Sequence, residues 1–182
     1  MQQERIMIGA HGYFSPAGTA FTLPAPGGIA GRDAKPGHDD PAAWLYTGIA
    51  DWNLSSTSTT TEFKAPAPGM RVLHDKLTTT TGLKLKGKLM EMSNVVWQML
   101  MSAPTLPASP APGGQYNPLK GDAVVRGWLK LQQYNQRNEL VHTLDVFVAM
   151  NIPGDVTFGE NYVDVDVEAD ALWSNLNTGT LL

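Results

Sequence analysis

The stretch Asn161 to Asp170, NYVDVDVEAD, alternates without a break between apolar and acidic side chains. Side chains on a strand point to opposite faces in turn, so this period of two describes a β-strand with one buried and one wet face. Val163, Val165, Val167 and Ala169 fall on one side, and Asp164, Asp166, Glu168 and Asp170 on the other. A chain built around such a segment needs a sheet to bury it. The same period recurs elsewhere. Trp44 to Phe63 is rich in β-branched and aromatic residues. Val124–Tyr134 and Glu139–Met150 flank NQRN, which reads as a hairpin loop. The expected fold class is therefore all-β, with seven or eight strands.

Proline and glycine mark the breaks. Three stretches read as loops: Pro24–Pro41, Lys64–Gly69 and Ala103–Pro118. Closely spaced prolines fix φ and remove donors, which predicts extended segments outside sheet interiors. None has the monotony of a linker, so residues 1–182 are expected to form a single domain. Within it, 24–41 is a loop or insertion, 103–118 a second long loop and 171–182 a C-terminal arm.

The segment GLKLKGKLMEMSNVVWQMLM, Gly82 to Met101, contains most of a phosphate-loop pattern. The chemistry does not follow. Leu83, Leu85 and Leu89 alternate with Lys84, Lys86 and Lys88, which is a strand rather than a phosphate-cradling turn. Leu89 also stands where magnesium binding needs Ser or Thr. After Met92 the period changes. Ser93 is a good N-cap, and Met92, Val95, Val96, Met99 and Leu100 share one helical face. Pro104 stands just past the end. The spacing predicts a single short α-helix flanking the β domain. Trp97 and Met101 point off its apolar face, toward another subunit or one of the chain's own proline loops.

Net charge is −4, so nothing global argues for attraction to nucleic acid. The chain has no cysteine, which excludes disulfides and cysteine-ligated metals. The start, MQQERIMIGAHGYF, lacks the apolar core of a signal peptide, and no apolar run reaches membrane-helix length. The expectation is a soluble protein with no membrane partner. No catalytic, cofactor-binding or metal-ligating set is legible, and the reading is not an enzyme. His11, His38, His74 and His142 lie outside any zinc-protease or nucleophile-elbow context. His38-Asp39-Asp40 reads as a solvated turn, and His142 as a half-buried imidazole within a strand.

The order of these features carries a resemblance. A glycine-centred strand (WLYTGIADWNLS), a proline–glycine break (APAPGM), then GLKLKGKLMEMS running through Glu91, Met92 and Ser93 into NVVWQMLM, resembles the tail tube proteins of long-tailed, siphovirus-like bacteriophages. It covers Trp44 to Met101, with the later strands compatible; the insert before Trp44 has no match. The resemblance implies a small β-sandwich or barrel with one helix on its flank. Subunits would form hexameric rings that stack into a hollow tube, through which DNA leaves the virion without specific binding. Inter-subunit sheets would line the lumen, and a long loop and terminal arms would bridge rings. The implied partners are its own copies, the tape measure protein, and terminator and baseplate proteins. The implied location is the virion tail, after synthesis in the host cytoplasm.

Residue chemistry suits that expectation in several places. Asp164, Asp166, Glu168 and Asp170 would lie about 7 Å apart along one face. Each like-charge neighbour then costs roughly 0.6 kcal/mol in water and about 2.4 kcal/mol at an effective dielectric near 20. The face must be wet or paired with cations: an acidic lumen wall, or an ordinary solvated sheet face. Lys84, Lys86 and Lys88 form a basic stripe of similar length. It reads as a solvated face, as a complement to an acidic stripe on the next strand or subunit, or as a weak phosphate attractor. The run from Ser55 to Thr61, with Ser55, Thr57, Thr59 and Thr61 on one side, has no apolar face. It reads as an edge that pairs with another chain, or as a polar loop. In the arm, Leu172, Trp173 and Leu176 are candidates to dock on a neighbour or on their own domain. Two rivals remain beside the tail tube. One is the inner tube of a type VI secretion or contractile-tail machine; the other is a carbohydrate- or ligand-binding β-sandwich.

Overall fold

The structure, a computed structural model, describes residues 7–17, 35–37, 43–102, 119, 124–157, 164–174 and 180–181. The chain folds into β1 (Met7–Pro16), β2 (Leu45–Ala67), β3 (Met70–Leu89), α1 (Asn94–Met101), β4 (Val125–Asn135), β5 (Leu140–Asn151), β6 (Val165–Ala171) and β7 (Thr180–Leu181). The fold is all-β with one short helix, as the periodicity predicts.

Every pairing is antiparallel, and the pairings close on themselves. The order β4-β1-β2-β3-β6-β5 returns to β4 through a full-length β4–β5 ladder, giving a six-stranded barrel. Closure removes sheet edges and encloses a dry interior. The closing seam is short: β6 meets β5 only over Val148–Asn151. Farther along that β5 edge lies β7, where Thr180 pairs with Asp145 and Leu181 with Leu144. The chain's last described residues thus dock on their own domain, one of the two outcomes open to the C-terminal arm.

Alternation decides what fills the barrel. Phe14, Leu85, Leu129, Val146, Val148, Val165, Val167 and Ala169 are buried in one cluster. Each fully buried aliphatic or aromatic side chain of this kind contributes roughly 1.5–3 kcal/mol. The helix closes the set, with Val95, Val96 and Met99 in the same cluster and Met92 and Leu100 packed against it. Eight residues would not hold a helix in water, so packing holds it here. Ser93 occupies the N-cap position in extended backbone but makes no side-chain capping bond. Cap chemistry correctly predicts where the helix starts; burial holds it there.

A second, smaller core lies outside the barrel. Trp44, Trp128 and Phe147 are buried together, with Tyr13 and Leu172 against them. Residues 35–37 and Ala43–Trp44 cross this face. Lys35 forms a 3.2 Å ion pair with Asp145 and sits over the Trp128 ring, while the Trp44 indole donates to the Gly37 carbonyl at 2.8 Å. Lys130 is buried between two rings, 4.5 Å from the Trp44 centroid and 5.0 Å from that of Tyr13. Part of the expected 24–41 loop therefore acts as a strap over the barrel wall. The rest of it, and the 103–118 loop, lie outside the described residues.

The β4–β5 hairpin turns where NQRN predicts. The Asn135 side chain accepts from the backbone N–H groups of Arg137 and Glu139, both at 2.9 Å, and Asn138 takes a left-handed φ of 59°. Lys64–Gly69 departs from expectation. The strand runs on to Ala67, and only Pro68 and Gly69 turn. Proline presets φ for the first turn position and Gly69 takes φ 79° at the second, the combination a type II turn requires. Pro66 is accommodated because this part of β2 is an edge, where a missing donor is tolerated.

Candidate assembly surface

Two strands are far longer than the barrel needs. β1 pairs with β2 only at Leu45–Ala50, and β6 pairs with β3 only at Lys84–Leu89. Beyond those limits β2 and β3 pair only with each other among the described residues, from Asp51 and Leu83 out to the Pro68–Gly69 turn. The projecting part, Ser55 to Ala67 and back, is about 40 Å long at the usual strand rise. Nearly every residue on it is exposed on both faces. An isolated two-stranded ribbon is marginally stable at best in water.

The expected edge residues lie along this ribbon. Ser55 stands opposite Lys84, Thr57 opposite Gly82, Thr59 opposite Thr80 and Thr61 opposite Leu77. Thr79 Oγ1 donates to the Thr59 carbonyl at 3.1 Å. Their partner in the chain is β3, so one side of the β2 edge is satisfied internally and the other remains unpaired among the described residues.

Past Thr60 the ribbon gathers its apolar residues more on one side than the other, a pattern that the linear sequence does not reveal. Register places Thr61, Phe63, Ala65 and Ala67 on one side with Leu77, Asp75, Val72 and Met70 as cross-strand partners. Phe63, Val72, Leu77 and Met70 are each roughly half exposed or more. The opposite side carries Glu62, Lys64, Lys76 and Arg71, with Glu62 3.9 Å from both lysines and half-exposed Leu73 opposite Lys64. Two irregularities in β3, opposite Thr59/Thr60 and Phe63/Lys64, shift its parity against β2. They hide the pattern from a reader of β3 alone.

At the ribbon's root the acidic and basic stripes meet. Register sets Lys84 against Asp170, Lys86 against Glu168 and Lys88 against Asp166. Ion pairs join Lys84 to Asp170 at 3.4 Å, Lys86 to Glu168 at 2.6 Å and Lys88 to Asp164 at 2.9 Å. Asp164 precedes β6 rather than lying within it. The Lys86 hydrogen bond and charge hold the Glu168 carboxyl below its ordinary range, and Glu168 in turn raises Lys86. Asp164 does the same for Lys88, by hydrogen bond first and charge second. The four carboxylates are thus not a bare acidic wall. They form a paired ladder with one carboxylate in excess, so complementarity to the neighbouring strand accounts for the basic stripe.

The remaining expected contact residues are dispersed. Trp97 and Met101 are half-buried on α1. Leu172 packs on the outer aromatic core, and its N–H donates to the Phe147 carbonyl. Trp173 stands 81% exposed between Leu172 and buried Ser174. Leu176 lies outside the described residues, as does His38-Asp39-Asp40. His142 is half-buried on β5, opposite Gln133.

An aromatic strip, also missed from sequence, crosses the outer face of β4, β1 and β2. The His11 ring lies edge-on to Tyr134 at 5.2 Å and shares a 3.0 Å hydrogen bond with the Tyr46 hydroxyl. Tyr13 lies 5.4 Å from Tyr46. Burial raises the hydroxyl pKa of both Tyr13 and Tyr46, with neighbouring Glu91 adding to the second. Ile49, opposite His11, is 39% exposed. Its residues come from three strands far apart in sequence, so only strand order reveals it.

Among the described residues no group of three or more His, Asp and Glu could hold a metal, and no helix is long and apolar enough to cross a membrane. No family model matches the chain, and no curated protein is similar to it in sequence.

Proposed function

We propose that the chain is a structural, self-assembling subunit: the tail tube protein of a long-tailed phage, built into stacked hexameric rings around a channel for DNA. The observation that carries this reading is the β2–β3 ribbon. Beyond Trp52 and Leu83 at its root it adds nothing to the barrel core, exposes half-covered apolar residues, and leaves both outer edges without a partner among the described residues. Exposed edges of this length are normally blunted, because they template association. Here they are retained, which suits a chain completed by its own copies. The paired ladder suits a channel wall as well. Its phosphate-attracting lysines are already neutralised, so DNA would move past it without the counterion release that drives binding.

Negative-stain microscopy of concentrated protein tests the reading. Rings or tubes are expected. A monomer at every concentration would reject it, and a monomer that binds glycans would favour the ligand-binding alternative. Recruitment of a contractile sheath to the outer surface would move the assignment to a contractile or secretion tube.

A further inference from the structure

Two residues of β5 each hold segments from opposite ends of the chain. The Asp145 side chain meets the strap, where Lys35 lies 3.2 Å away, while its backbone edge pairs with Thr180 of β7. The Phe147 ring packs with Trp44 and Trp128, and Leu172 lies against them, while the Phe147 carbonyl accepts from the Leu172 N–H at 2.8 Å. The strap, Lys35–Gly37 with Ala43–Trp44, and the C-terminal segment, Leu172–Ser174 with Thr180–Leu181, thus converge on one stretch of one strand. Neither is part of the barrel core. Trp44, Trp128 and Phe147 form a cluster of their own, and no described residue of the two segments belongs to the larger one.

We infer that the strap and the C-terminal segment form a single clasp on β5, which docks and releases as a unit while the barrel stays folded. This stands apart from the self-assembly reading. Asp145 is 4% exposed and directly opposite Lys130. Attraction between charges at such a dry position falls steeply as water enters. β7 runs along the edge beside Asp145, so undocking it opens that edge to water and weakens the hold on Lys35. In the other direction, releasing Lys35 leaves a buried carboxylate with one cation fewer. That state is costly, and water entering at the same edge relieves it. β7 pairs over only two residues, too few to hold as a ladder alone. Trp44 and Leu172 also cover the same small core, so losing one uncovers the other. Clusters of this size, outside the main core, open as cooperative units at the low-stability end of a fold. By linkage, whatever draws one segment away lowers the cost of releasing the other. The released state bares Trp128, Phe147 and Lys130, all of them buried in the docked one.

The chain has no cysteine, so a single introduced thiol reports on one place. Ala43→Cys reports the strap, Ser174→Cys the C-terminal segment and Ala169→Cys the barrel core; the three sites are 3%, 5% and 1% exposed. Each full-length reporter chain then receives one of two perturbations. Lys35→Met removes the ion pair. Thr180→Pro with Leu181→Pro removes whichever N–H group β7 offers to β5, since successive ones point to opposite sides. Under native conditions the proline pair should speed thiol labelling of the Ala43→Cys chain, and Lys35→Met that of the Ser174→Cys chain. Each rate should rise by about fivefold or more, with the Ala169→Cys chain unchanged. Acceleration confined to the perturbed segment would mean two independent flaps and overturn the clasp. Equal acceleration in the Ala169→Cys chain would overturn it too, because the barrel would then open with the clasp. Should Ala43→Cys itself disturb the packing, iodide quenching of tryptophan fluorescence in the cysteine-free chain makes the same comparison. The proline pair should raise the quenchable fraction as Trp44 and Trp128 become accessible, and no rise would reject the coupling.

Discussion

Lys86 Nζ lies 2.6 Å from Glu168 Oε1, directly across the β3–β6 ladder that helps to close the barrel. The pair is exposed, so it acts as one rung of a network rather than as a buried anchor. Its pH dependence has a definite sign. The folded carboxyl titrates below its unfolded value. Its contribution is therefore present above the unfolded carboxylate pKa and is lost as pH falls through the lowered folded value. Lys86 is raised, so its share persists up to the ordinary lysine range and disappears as pH climbs through the raised value. Glu168→Gln should be less stable than wild type at neutral pH, with a gap in urea midpoint that closes in acid and again in strong alkali. A gap constant across that range would remove the ion pair as its cause.

Gly127 is required by close approach between β1 and β4. A Cβ there would collide with the Ser15 carbonyl oxygen and stand 2.6 Å from Phe14 Cζ. The carbonyl is backbone and cannot swing aside, and Phe14 is fully buried. Gly127→Ala should cost about 1–3 kcal/mol by overpacking, a drop in thermal midpoint on the order of 5 °C. Gly154→Ala, with nothing within 4 Å of the added methyl, is the matched control and should be close to neutral.

Trp44 covers the outer core and one side of the buried Lys130 ammonium. Trp44→Ala removes a buried indole, the stacking on Lys130 and the hydrogen bond to Gly37. Calorimetry should show a loss of about 3–5 kcal/mol. Trp44→Phe keeps a ring over the ammonium and loses chiefly the hydrogen bond, so about 1–2 kcal/mol is expected. Equal losses in the two variants would mean that the ring over Lys130 contributes nothing.

What was legible in the sequence follows the physics of burial. Val165, Val167 and Ala169 alternate with carboxylates because one face of β6 is dry, and the helix showed itself through Val95, Val96 and Met99 for the same reason. β1 gave no clear signal. Gly9 and Gly12 interrupt it, and its outward residues His11 and Tyr13 are half-buried rather than polar. The strand from Met70 to Thr81 leaves no legible pattern in the sequence. Neither face there is enclosed, so no burial contrast exists, and two irregularities break its parity. The two stripes are legible, and an acidic stripe on the next strand is one of the partners open to the lysines; that Lys86 meets Glu168 of the same chain depends on strand order. The strap over Trp128 depends on contacts between residues far apart in sequence, which no local pattern encodes.

The ribbon and the barrel should be separable. Thr57 and Gly82 face each other across the ribbon just above the last β6-paired residues. Excising Ser58–Thr81 and joining the ends through Asn-Gly places a favoured two-residue hairpin turn between strands already in register. The excised residues are exposed or half-buried and none belongs to either core cluster. Near-ultraviolet circular dichroism and the thermal midpoint should therefore stay close to wild type, with far-ultraviolet strand signal reduced in proportion to the residues lost. On the self-assembly proposal, association should vanish, with sedimentation showing a monomer at the concentrations where that proposal expects large wild-type species. A shortened chain that still builds tubes would show that the ribbon is dispensable and return the search for the contact surface to the barrel wall. A shortened chain that fails to fold would show instead that the ribbon supports the barrel, contrary to its complete absence from the core.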